Sequence, residues 1–236
     1  MFFYINWSYL IYMLPVYILT LIASMMVNST YRRYSNEMSR TNMTGAEVAR
    51  RMLDDNGLYD VRIEKVDGHL TDHYDPRSNV VRLSTEVYDS TSISSIGVAC
   101  HECGHAVQYA KNYFPIRIRN AVIPMTNIGS TLAMPLILIG ILLSMIGEGF
   151  AIVAYVGVGM FAVCVFFQLI TLPVEINASR RGISYLDERG ILSSEELPGA
   201  KKVLTAAAFT YVAALATSIA QLMYLLRIVA SIHNDN

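Results

Sequence analysis

Four stretches of the chain carry no charged side chain: Met1 to Tyr31, Asn120 to Gly147, Gly149 to Val174 and Val203 to Leu226. Each exceeds the roughly 20 apolar residues that take a helix across about 30 Å of hydrocarbon. They predict four membrane-spanning helices, near 7–28, 123–146, 151–172 and 204–228. The first is read as a retained anchor rather than a cleaved leader. No basic residue precedes it, Pro15 lies within it, and it is too long for the apolar core of a signal peptide. Four such runs in one short chain argue against buried helices of a soluble protein. The divisions that follow are an anchor (1–30), a polar segment (31–121), a helical hairpin (122–172), a second polar segment (173–202) and a last span with its tail (203–236).

The first polar segment has its own periodicities. Thr44-Gly-Ala-Glu47 has the form of a capping box and opens a helix through Val48, Met52 and Leu53 that stops at Asn56-Gly57. Tyr59 to Val66 alternates apolar and polar positions as a half-buried strand does, and Asp67-Gly68 signals a hairpin. His69 to Tyr74 is then the returning strand, with a turn at 75–79 leading into a strand over Val80 to Leu83. The expectation is a small antiparallel meander. A helix follows through Ile96, Val98, Val107 and Tyr109, ending near Asn112 before Pro115.

Composition sharpens this picture. Hydrophobic residues make up 53% of the 236 and charged residues only 16%, which excludes disorder and an ordinary water-soluble globule. Lys and Arg number 18 against 19 Asp and Glu, so no basic field points to nucleic acid. Of the 18 basic residues, 17 fall in the two polar segments. The positive-inside tendency places both segments in the cytoplasm and both termini outside. Three cysteines, Cys100, Cys103 and Cys164, are too few for a secreted disulfide framework.

The chemistry lies in the last helix of the first polar segment, which contains His101-Glu102-Cys103-Gly104-His105. Residues four apart on a helix lie about 40° apart around its axis, so the two imidazoles share a face. They can bind one Zn²⁺, with Glu102 beside the water that zinc activates, placed as general base. Cys100-x-x-Cys103 offers a rival redox or metal motif, but its thiols point roughly the opposite way around the helix. Two small residues packing the back face is the simpler reading, and packing also accounts for Cys164.

A catalytic zinc needs a third protein ligand. Among the remaining histidines are His69, His73 and His233; among the carboxylates, Glu175 stands out because it ends a run of 26 uncharged residues. A carboxylate at that depth is costly unless paired or metal-bound. Pairing with Arg180 or Arg181 is the structural alternative.

At these residues the chain resembles a known family. His101-Glu-Cys-Gly-His-Ala-Val-Gln108, Thr44-Gly-Ala-Glu-Val-Ala-Arg-Arg51, Leu70-Thr-Asp-His-Tyr-Asp-Pro-Arg77 and Leu172-Pro-Val-Glu-Ile-Asn-Ala-Ser-Arg-Arg181 look like the YugP-type neutral zinc metallopeptidases of bacterial membranes. More distantly, the order of anchor, motif helix, two spans and Glu-bearing helix is similar to the HtpX-type and prenyl-protein-processing membrane gluzincins. The resemblance implies Glu175 as third ligand. In those proteins an acidic residue four positions later supports a zinc-bound histidine; here that position is Ser179. Asn177 is the substitute considered, orienting His101 or His105 through its side-chain oxygen.

The resulting expectation is an integral-membrane, mainly α protein with four transmembrane helices and a zincin-like α+β cytoplasmic catalytic segment. Its activity would be zinc-dependent endopeptidase action at the cell membrane, on membrane-protein substrates or unfolded polypeptides. The strand carrying His69, Leu70, Thr71, Asp72 and Tyr74 would bind extended substrate by strand addition. His73 either donates to the tetrahedral oxyanion or caps a turn. Arg180 and Arg181 face either substrate or lipid phosphate. Two rivals remain: a zinc-binding membrane scaffold or pseudoprotease, against which intact Glu102 speaks, and a transporter, which would carry ionisable groups inside its spans.

Overall fold

A computed structural model describes residues 7–234 of the chain. It is mainly helical. In order, the elements are α1 (Trp7–Ser35), α2 (Gly45–Asp55), β1 (Arg62–Val66), β2 (His73–Asp75), β3 (Val80–Ser84), α3 (Thr85–Asp89), α4 (Ile93–Ala110), α5 (Phe114–Ser144), α6 (Ala151–Glu188) and α7 (Leu197–Asn234), with a 3₁₀ turn at Glu148–Phe150. Helices α1, α5, α6 and α7 are each long and apolar enough to cross a membrane. Contacts divide the chain into two units: 1–22, 117–172 and 211–236 in one, 23–116 and 173–210 in the other.

In the first unit the helices meet through small residues. Gly140 lies against the backbone of Ala154, and Gly157 lies against Ala133 and Ile137. Such positions let helices approach closely where lipid leaves no hydrophobic drive between them. Ile137, Ala154, Val158, Leu225 and Val229 form the small buried cluster. Large apolar side chains, such as Ile11 at 71% and Leu142 at 64% exposure, point outward instead. An apolar exterior of this kind suits hydrocarbon rather than water.

The second unit has a conventional core. Helix α2 begins with the complete capping box: the Thr44 amide donates to Glu47 Oε2 at 2.8 Å and the Glu47 amide to Thr44 Oγ1 at 3.2 Å. It buries Val48, Ala49, Met52 and Leu53 against α4, whose Ile96, Ala99, Cys100 and Cys103 face the same cluster. Both thiols are fully buried, and burial pushes each well above the ordinary thiol value. That leaves them as packing groups with no thiolate to react.

The sheet corrects the expected meander. Strand order is β1-β3-β2, with β1 parallel to β3 and β2 antiparallel to it, so the sheet is mixed rather than antiparallel. Val80, Val81 and Leu83 of β3 are fully buried, which puts this strand between the other two. Asp67-Gly68 does not close a two-residue hairpin. Gly68 has φ 114° and Leu70 φ 55°, and the segment continues as a loop in which Thr71 Oγ1 donates to Asp67 O at 3.1 Å. Asp72 then anchors the loop, accepting from the Ser84 amide at 2.7 Å and from the Ser84 hydroxyl at 3.1 Å. The strand read over 69–74 therefore spans only His73–Asp75, and His69, Leu70, Thr71 and Asp72 are loop residues.

Candidate metal centre

Helix α4 presents His101 and His105 on one face, and α6 brings Glu175 against them. The three offer ligand atoms all within 4.8 Å of one another. Glu175 Oε2 lies 3.3 Å from His101 Nε2 and 3.4 Å from His105 Nε2, and the two Nε2 atoms are 3.2 Å apart. Zinc bonds to imidazole nitrogen and carboxylate oxygen are about 2.0–2.2 Å, and tetrahedral ligand atoms at such lengths sit about 3.3–3.5 Å apart. The donor set and its spacing fit zinc.

Close approach of the two helices makes this possible. A Cβ at Gly104 would lie 2.5 Å from the carbonyl oxygen of Ala178, a backbone atom that cannot swing away. Gly182 is similarly tight, its added Cβ falling 3.0 Å from the carbonyl carbon of Cys100. The glycine inside the motif thus lets α6 come near enough for a carboxylate to reach both imidazoles.

The far nitrogen of each imidazole is also engaged. His101 Nδ1 is 3.0 Å from Ser179 Oγ, and His105 Nδ1 is 3.0 Å from Gln108 Oε1. Gln108 is fully buried; its Nε2 donates to Val174 O at 2.7 Å and to Asn177 Oδ1 at 3.0 Å. These bonds fix ring orientation, leaving both Nε2 atoms toward Glu175, and the Gln108 oxygen, which can only accept, sets the proton of His105 on Nδ1. Among the described residues, the hydrogen bonds of Asn177 Oδ1 go to neighbours of the histidines rather than to His101 or His105 directly. That oxygen is shared by Gln108 and Arg181 Nε, the latter at 2.8 Å, so it holds the residue that holds His105. Ser179, four positions after Glu175, reaches His101 with a hydroxyl. Gln108 was overlooked, although a glutamine three positions beyond His105 on a helix is a neighbour by spacing alone.

Charge converges on the same corner. Burial alone would raise Glu175, but hydrogen bonds from the two imidazoles hold it far below the usual carboxylate range. Burial alone would lower His105; its contact with Glu175 and the nearby Glu102 charge hold it above the ordinary value instead. The pocket favours positive charge, whether proton or metal ion.

Glu102 is buried at 8% exposure, and its Oε2 accepts a hydrogen bond from the Tyr74 amide at 3.1 Å. The carboxylate of the motif is therefore tied to the edge strand β2. His73, next to Tyr74, is exposed, and its Nδ1 sits 2.8 Å from the Thr71 carbonyl, a turn-capping contact that leaves only Nε2 available. His69 pairs with Glu86 at 2.9 Å on the surface. The side chain of His233 lies outside the described residues.

The family described as "Putative neutral zinc metallopeptidase" matches residues 9–230. The chain belongs to this family. A relative in Bacillus subtilis (strain 168), "Putative membrane protease YugP", is 44% identical over 214 residues, covering 91% of this chain and 93% of that protein. No solved structure matches the chain. The two half-buried histidines and the buried glutamate are a group that could hold a metal ion.

Proposed function

We propose that the protein is a membrane-embedded, zinc-dependent endopeptidase whose metal is held by His101, His105 and Glu175. The observation that carries this reading is the triangle of two imidazole nitrogens and one carboxylate oxygen, 3.2–3.4 Å on a side, with Glu102 one residue from a ligand. Bound zinc would supply Lewis-acid polarisation of the scissile carbonyl and a water of lowered pKa. Glu102 would be the base for the attacking water, passing its proton to the amine nitrogen that leaves as the peptide C–N bond breaks. The Tyr74 amide keeps the Glu102 carboxylate in place. Glu175 and Glu102 are buried and the two imidazoles are largely shielded, which strengthens these interactions.

The substrate reading rests on β2. Its Tyr74 amide points to Glu102, away from β3, so the outer edge of the strand runs beside the catalytic carboxylate. An extended polypeptide laid along this edge would bring its backbone to the zinc. Suitable substrates are membrane proteins with loosened juxtamembrane segments, or unfolded chains at the membrane surface, since a folded helix cannot present a strand. The site would face the cytoplasm, as the basic residues of both polar segments suggest.

Metal analysis of the purified full-length protein, with proteolysis of an unfolded substrate in detergent, tests the proposal. Wild type should hold one zinc per chain and cleave. Glu102→Gln should keep zinc and lose cleavage, and Glu175→Ala should lose stoichiometric zinc. Full zinc occupancy in a His101→Ala, His105→Ala double variant would sink the site. Zinc without cleavage in the wild type would favour the scaffold reading.

A further inference from the structure

A second site lies away from the metal cluster, where α1 and α7 run side by side within the second unit. A groove of about 630 Å³ opens between them, within the roughly 300–1,000 Å³ usual for small-ligand sites. Each helix contributes one face at helical spacing: Met26, Ser29, Thr30 and Arg33 from α1; Lys201, Lys202, Thr205 and Ala206 from α7. The buried ring of Tyr34 forms part of the wall, and it lies so close to Gly199 that an added Cβ there would come within 2.7 Å of it. The groove is thus set by backbone packing rather than by mobile side chains.

Its lining changes character along its length. Met26 and Ala206 make one end apolar, where both helices lead into their uncharged runs. Thr30 places a hydroxyl in the middle, Thr205 turns its own onto the Lys201 carbonyl at 2.7 Å, and Arg33, Lys201 and Lys202 crowd the other end. No carboxylate lines the groove. Lys201 and Lys202 have no acidic partner among the described residues, and Arg33 has only an exposed pairing with Glu37 at 3.4 Å. Three cations beside the Thr30 hydroxyl match a phosphate ester, and an apolar continuation matches the acyl chains attached to it. An acidic peptide would answer the charge but not the apolar end.

We infer that this groove binds the headgroup of an anionic diacyl phospholipid, with its phosphate between Arg33, Lys201 and Lys202. The occupant is a lipid of the surrounding leaflet rather than free phosphate, because only a lipid fills both ends. Bound there, it would bridge the end of the first helix and the start of the last. The inference is independent of the metal site and of any proteolysis.

The test is lipid retention by the full-length protein, purified from mixed micelles containing phosphatidylglycerol or phosphatidylcholine and read by native mass spectrometry. Wild type should retain phosphatidylglycerol in preference to phosphatidylcholine. Neutralising Arg33, Lys201 or Lys202 to Gln should weaken retention about fivefold per residue, and Arg33→Lys should preserve most of it. Ser29→Trp, which keeps every charge and fills the groove from an exposed position, should also displace the lipid. Equal retention of both lipids, undiminished phosphatidylglycerol in the triple Gln variant, or displacement by inorganic phosphate at matched concentration would overturn the inference. So would stoichiometric capture of a soluble acidic peptide in place of lipid. Unchanged helical circular dichroism and melting temperature in the Gln variants keep a lost lipid site distinct from an unfolded protein.

Discussion

His105 shows how a ligand atom is aimed. Its Nδ1 is held by Gln108, and Gln108 is held in turn by Val174 O and Asn177. Gln108→Leu removes the bond to the ring and leaves a buried carbonyl without its donor. Zinc affinity should fall 10–100-fold, with a stability loss of about 1–3 kcal/mol. Asn177→Ala acts one step further out and should weaken zinc less than Gln108→Leu does; competition with a chromophoric chelator measures both. Asp72 gives a prediction in pH. Burial raises it from its ordinary value of 3.8 and the nearby Glu102 charge adds to this, more than offsetting the Ser84 bonds. The folded protein therefore binds this proton more tightly than the unfolded chain. The stability linked to it is full below 3.8 and is lost as pH rises through the elevated folded value. Asp72→Asn, which keeps an oxygen for the Ser84 amide, should gain thermal stability over wild type as pH rises from 4 to 7. A constant difference across that range would count against the linkage.

At the scale of elements, the capping box, the α4 motif face and the apolar helices were all legible, because each is a local pattern in one stretch of chain. The sheet was not. Asp67-Gly68 carries a hairpin signal, yet β3, with three fully buried apolar residues, takes the middle and leaves β1 and β2 as edges. One residue ties the three strands: Arg82 on β3 pairs with Glu64 on β1 at 3.3 Å and with Asp75 on β2 at 3.0 Å. That pairing is long-range, and no periodicity reveals it. The approach of α4 to α6 was equally hidden, since the sequence shows Gly104 but not the Ala178 carbonyl against it. Gly104→Ala should push the helices apart, costing about 1–3 kcal/mol of stability and weakening zinc binding at the same time. The edge strand supplies a further variant. The Tyr74 amide donates to Glu102 and not to the ladder, so Tyr74→Pro costs no strand pairing. Tyr74→Ala, which keeps the amide but likewise loses the hydroxyl bond to Asn79 and the ring contact with Tyr109, is its control. Tyr74→Pro should leave zinc content unchanged while lowering kcat about tenfold or more, the scale of one bond to a charged group. An unchanged kcat would make the contact incidental.

For the molecule as a whole the open question is sidedness, and connectivity limits the answers. The segments 31–121 and 173–202 are joined by α5, a short turn and α6. If both helices cross the membrane, both segments lie on one side and the turn at 147–150 on the other. The two segments hold 17 of 18 basic residues and the turn holds none, so the charge rule predicts a cytoplasmic metal site. Introduced cysteines can read this directly in a Cys164→Ala background, which removes the one half-buried native thiol; the other two are quiet, since Cys100 and Cys103 are buried and burial raises their thiols far above the range where thiolate forms. Asp67→Cys and Glu188→Cys place reporters at exposed positions of the two segments, and Gly149→Cys places one in the turn, where an added Cβ meets nothing within 4 Å. A membrane-impermeant maleimide applied to intact cells should label Gly149→Cys strongly. It should label Asp67→Cys and Glu188→Cys only after the cells are opened. The reverse pattern would turn the molecule over, keeping the metal chemistry but assigning it to extracytoplasmic substrates. Labelling of Asp67→Cys and Glu188→Cys from opposite sides would mean that α5 and α6 do not both cross, and the four-span reading itself would fall.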